Sequence, residues 1–129
     1  MGKEKDIKMC KLSKNRYREL KYFCRQYYEW KDKLKKLNYD LKSYELNDLP
    51  KNHNVNKPTE ILATEKADLE RKIGIVEQSA KEANPVIYQE LLQNVVQGIP
   101  FRYLNVPCGL RYFYKVRNIF FCILDKKKI

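Results

Sequence analysis

The sequence predicts an all-α chain: a long antiparallel helical hairpin, then three shorter helical segments. Three observations predict it. Apolar side chains recur at steps of three and four along two long stretches, the period of a helix with one buried face. Only 4 Gly and 5 Pro occur in 129 residues, too few for the turns of an all-β fold. Most of those breakers fall after residue 83, where they cut the chain into short helices.

Residues 1–14 alternate lysine with acids around few apolar positions and read as a basic tail. Ser13 or Asn15 can cap the helix that follows. Leu20, Phe23, Tyr27, Trp30, Leu34, Leu37, Leu41 and Tyr44 then make an unbroken apolar stripe, one helix of roughly seven turns. It ends near Leu46. Asn47, Asp48, Pro50, Asn52, Asn54 and Asn56 form a polar connector, and His53 within it reads as a loop residue. Pro58 suits a first helical position, with Thr59 and Glu60 in the first turn. A second stripe follows with Leu62, Leu69, Ile73, Val76, Ala80 and Ala83, interrupted by Lys66. Gly74 is expected to weaken this helix by roughly 1 kcal/mol relative to Ala, unless it permits close packing.

Two helices of similar length on a short connector make residues 15–83 a hairpin. Tyr17, Tyr22, Tyr28 and Tyr39 widen its stripe beyond what a second helix covers. The hairpin is therefore expected to pack on the C-terminal segment or on a second copy, a dimer being favoured.

Asn84-Pro85 starts the next helix, since Asn accepts from a free backbone N–H and Pro lacks one. Ile87, Leu91 and Val95 face one side, and Gly98 ends it. Pro100 opens a short helix around Phe101 to Leu104. Asn105-Val106-Pro107 turns the chain into a last helix from about Cys108 to Leu124. Helix, short helix, tight turn and longer helix is the ground plan of a helix-turn-helix, here residues 84–129. On the last helix Phe113, Val116, Phe120, Ile123 and Leu124 share one side. Arg111, Tyr114, Lys115 and Asn118 gather on the other with no carboxylate among them.

The net charge is +11, and it is unevenly placed. Residues 50–84 balance, whereas residues 85–129 hold seven basic groups against only Glu90 and Asp125. An acid-poor basic surface points to a polyanion, nucleic acid first and an anionic membrane surface second. Arg and Lys suit guanine edges or phosphates, Asn suits adenine, and Tyr suits phosphate or the thymine methyl. Arg102, Arg117, Lys126, Lys127 and Lys128 flank the face as candidate phosphate contacts.

Catalysis is not expected, because no nucleophile has a base at recognisable spacing and no glycine-rich phosphate loop occurs. No cofactor or metal is expected either: Cys10, Cys24, Cys108 and Cys122 lack C-x-x-C spacing and His53 has no cysteine neighbour. The four cysteines are expected as free thiols of a reducing cytoplasm, since no signal segment or membrane span is found.

The stretch from Ile87 to Lys128, with Ile99-Pro100-Phe101-Arg102-Tyr103-Leu104, Val106-Pro107-Cys108 and Phe113 to Phe121, resembles the C-terminal half of ArpU/RinA-type phage regulators of Gram-positive bacteria. Tyr17 to Cys24 and the Asn56 to Glu60 helix start are similar in layout to prophage proteins of that kind. The resemblance implies a helix-turn-helix related to sigma-factor region 4, double-stranded DNA and RNA polymerase as partners, and transcriptional control in a bacterial cytoplasm. It maps the reading helix onto Arg111, Tyr114, Lys115 and Asn118. Gly109-Leu110 departs from the pattern, because polar residues are expected where such a helix begins. Two other readings use the same features: a phage assembly component resembling a small terminase, which would form a ring, and a helical protein-interaction module.

Overall fold

A computed structural model describes residues 10–46 and 59–128. The basic tail before Cys10, the polar connector with His53, and Pro58 lie outside the described residues, as does the side chain of Tyr44. The described secondary structure is helical, without a strand: α1 Lys14–Arg25, α2 Tyr27–Leu46, α3 Thr59–Ala83, α4 Tyr88–Gln97, a 3-10 turn Phe101–Tyr103, and α5 Leu110–Lys128.

Ser13 caps α1, its hydroxyl accepting from the Arg16 amide at 3.0 Å. The predicted seven-turn helix does not run unbroken. At Gln26 the backbone N–H bonds Phe23 O three residues back, at 3.2 Å. The Gln26 side-chain amide takes the carbonyl left over, Tyr22 O, at 3.4 Å. This local tightening splits the rod into α1 and α2, and the Phe23 and Trp30 rings pack edge-on across it, 4.8 Å apart. The two halves serve different partners, which a uniform stripe could not reveal. α2 lies along α3, whereas α1 packs on α4 and α5.

Contacts between α2 and α3 pair early residues of one with late residues of the other. The Tyr27 hydroxyl donates to Glu77, Lys31 Nζ stands 3.6 Å from the same carboxylate, and Lys72 Nζ lies 5.8 Å from the Trp30 ring. The helices therefore run in opposite directions. Burial and the Glu77 carboxylate together push the Tyr27 phenol well above its usual range, so it remains a donor.

Asn84 Oδ1 accepts from the Val86 and Ile87 amides at 2.8 and 3.2 Å, as its residue type predicts, but the bonds hold a turn over residues 85–87 and α4 begins only at Tyr88. Gly98 closes α4 in the left-handed region, φ 77°, with its amide bonded to Asn94 O. A Cβ there would stand 2.9 Å from the Arg25 guanidinium, the movable end of a long side chain, so it is the positive φ that calls for glycine.

One hydrophobic core joins every helix. Leu20 and Cys24 from α1, Tyr27 and Trp30 from α2, and Ile73, Val76 and Ala80 from α3 meet the buried faces of α4 and α5. The sequence division at residue 84 therefore crosses a shared core and does not separate two. α3 is the central member, packed on α2, α4 and α5. Gly74 lies on its exposed side, where an added Cβ would meet nothing within 4 Å. Close packing is thus not its role. Gly74→Ala is expected to stabilise the fold by about 1 kcal/mol, read as a higher urea midpoint with unchanged slope.

The cysteines correct the free-thiol expectation. Cys10 and Cys122 form a disulfide across a sequence separation of 112, with Cα atoms 6.1 Å apart. The packing of α1 on α5 brings the two ends of the described chain together, and no local spacing carries that information. Cys24 and Cys108 are free thiols. Burial pushes the Cys24 thiol up to about 12, so it carries almost no thiolate at neutral pH.

Candidate nucleic-acid interface

The orientation of α5 follows from its phenylalanines. Phe113, Val116, Phe120 and Leu124 are buried against α3 and α1, and Phe101 from the 3-10 turn packs on Phe113 with ring centroids 5.1 Å apart. At about 100° per residue, the residues diametrically opposite Phe113 are Arg111, Lys115, Asn118, Cys122 and Lys126. Arg111, Lys115 and Asn118 are exposed, and Tyr114 beside them is 41% exposed. The four residues expected to form a face do share one, and it is open to solvent.

The flanking cations separate into two groups. Arg117 stands only about 40° round from Phe113 and points inward. Its Nη2 donates to the Tyr17 hydroxyl at 2.7 Å, and its guanidinium lies 5.6 to 5.9 Å from the Tyr17, Tyr114 and Phe121 rings. It ties α5 to α1 and is not a free phosphate contact. Lys127 pairs with Glu82 of α3 at 3.1 Å, and Lys128 caps the Phe23 ring at 4.8 Å. Both sit on the packed side of the helix. Lys126 alone of that trio falls on the Arg111 side, where it is exposed. Arg102 is exposed on the 3-10 turn with its guanidinium 5.1 Å from the Tyr103 ring.

The face is one wall of a groove of about 950 Å³. Arg111, Tyr114, Lys115 and Asn118 line one side. The opposite side is the segment entering α1, with Cys10, Leu12, Lys14 and Tyr17, and Ile119 and Phe121 contribute apolar surface. The disulfide closes one end, because Cys122 lies one turn beyond Asn118 on the same stripe. Sequence reasoning missed Lys14, Tyr17 and Leu12. Their only signal is Cys10, four residues before Lys14, and its partner cannot be deduced from spacing.

The groove lining contains no carboxylate. The nearest acids in sequence, Glu19 and Asp125, both bond Arg16: Asp125 accepts from its Nε at 2.5 Å, the main reason the guanidinium holds its proton more firmly than usual, and Glu19 accepts from its Nη1 at 3.2 Å. The α5 first turn also lacks an acid, so the positive end of the helix dipole adds to the field there. Leu110, 51% exposed, occupies that first turn, so the apolar departure noted in the sequence faces solvent. Among the described residues no cluster of His, Cys, Asp or Glu could hold a metal ion. Within the same residues no helix is long and apolar enough to cross a membrane.

Comparison with protein-family models, with curated proteins and with solved structures gives no match.

Proposed function

We propose that the protein binds DNA through the Arg111–Lys115–Asn118 face of α5 and acts as a transcriptional regulator of the ArpU/RinA type, with α4, the 3-10 turn and α5 as its helix-turn-helix. The observation that carries this reading is that three polar residues, two of them cations, stand open on one helix face with no carboxylate beside them. Phosphate attraction needs such a field, and a base edge needs donors such as Arg and Asn held on a rigid element. The phenylalanine core supplies that rigidity, since Phe113 and Phe120 are fully buried.

A titration of labelled duplex from the protein's own locus tests the reading. Affinity should fall linearly on a logarithmic salt scale, with a slope of about −0.9 per phosphate contact. Arg111→Ala and Lys115→Ala should each flatten that slope by about 1 or relax preference at one base position. Lys127→Ala should leave it unchanged, because that side chain is paired with Glu82. Binding no better than to scrambled DNA at moderate salt would sink the regulator reading.

Self-association belongs to the same proposal. Tyr22 and Tyr39 are 69% and 71% exposed, leaving aromatic surface on α1 and α2 for a second copy. A dimer would present two α5 faces to two half-sites. Its mass in sedimentation at tens of micromolar should be twice that of one chain. A closed ring of many copies would favour the assembly-component reading instead.

A further inference from the structure

We infer that the groove between α5 and the Cys10–Ser13 segment takes a single unstacked nucleotide of a DNA strand, held by Lys14, Arg111 and Lys115 and stacked on Tyr114. This rests on the DNA-binding reading of the same face and goes beyond it. A helix that reads an intact duplex enters the major groove as a convex rod, and that groove is only about 12 Å wide. Here the outer ridge of α5, with Arg111, Lys115 and Asn118 exposed, remains open to a duplex, but the flank of that ridge is walled. The segment leading into α1, anchored by the Cys10–Cys122 bond, rises beside it and turns the flank into the wall of a concavity. A base that stays paired and stacked meets only the exposed ridge. An unpaired one can enter the concavity, and the cavity volume of about 950 Å³ falls within the range of small-ligand sites.

The chemistry of the walls fits that occupant. Cations stand on both sides, Lys14 on one and Arg111 with Lys115 on the other, so the backbone of a strand crossing the opening meets positive charge from two directions. Tyr114 offers a partly exposed ring for stacking, and the Arg117 guanidinium braces it from behind at 5.6 Å. Asn118 supplies both a donor and an acceptor within the lining, which suits a base edge. An acyl chain with one anionic head would use the apolar floor but would leave cations spread over both walls without a counter-charge.

The test compares a duplex with the same duplex carrying a short unpaired thymidine tract, both titrated with the oxidised protein under non-reducing conditions. The unpaired substrate should bind about tenfold more tightly, since an unpaired base can stack on an aromatic ring and a paired one cannot. Lys14→Ala, which changes the wall opposite Arg111, should weaken the unpaired substrate and spare the paired one. Tyr114→Ala should abolish most of the tenfold difference. Equal affinity for the two substrates, with Lys14→Ala silent on both, overturns the inference while leaving duplex binding standing. Binding of neither substrate at moderate salt overturns both readings. Displacement of the oligonucleotide by anionic phospholipid vesicles but not by thymidine monophosphate overturns the inference in favour of an amphiphile.

Discussion

Reduction of the Cys10–Cys122 bond is expected to lower stability by about 4–5 kcal/mol, the largest single effect open to a covalent change in this chain. The size follows from the sequence separation of 112, because closing so long a loop removes much of the freedom of the unfolded chain. Urea midpoints measured with and without reductant should differ by about 2 M. Cys10→Ser should reproduce the reduced protein, and Cys108→Ser, which removes a thiol outside the bond, should still respond to reductant. The bond also anchors the groove wall that carries Lys14. Reduction should thus weaken any binding that depends on that wall before it weakens binding to Arg111. Identical midpoints in both conditions, with four thiols alkylated when the untreated protein is unfolded in urea without reductant, would show that the bond does not form.

How much of the structure is legible in the sequence depends on how local the determining interaction is. Ser13, Asn84 and Gly98 act within three or four residues of themselves, and each does what its residue type suggests. The buried faces of α3 and α5 are legible for the same reason, except that α5 buries Phe121 and leaves Ile123 half-buried, because Tyr17 of α1 packs on the Phe121 ring. The break at Gln26 is not, because the residues on either side continue one apolar stripe and differ only in which distant helix they meet. Arg117, Lys127 and Lys128 show a different limit. Composition marks all three as basic, yet the helical wheel places them towards the Phe113 side, and their partners Tyr17, Glu82 and Phe23 come from α1 and α3. Counting charge without its angle overstates the cationic surface. The Cys10 to Cys122 pairing and the second groove wall are out of reach of sequence altogether, because both depend on distant segments of the chain meeting.

Phe113→Ala and Arg111→Ala are expected to separate folding from binding on one helix. Phe113 is fully buried, packed on Phe101 and edge-on to Tyr114, and its ring is what faces α5 inward. Its loss should cost about 3–5 kcal/mol through transferred area and the cavity left behind. The thermal midpoint should then fall by on the order of 10–20 °C. Arg111, two residues earlier, is exposed, so Arg111→Ala should change stability by no more than about 0.5 kcal/mol. Binding should show the reverse order. The folded fraction of Phe113→Ala should keep the salt slope of the parent, whereas fully folded Arg111→Ala should lose about one unit of it. The contrast is sharp because both residues sit in the first turns of α5 and share its backbone. If Arg111→Ala melted as early as Phe113→Ala, the open face would be part of the core and the DNA reading would lose its central residue.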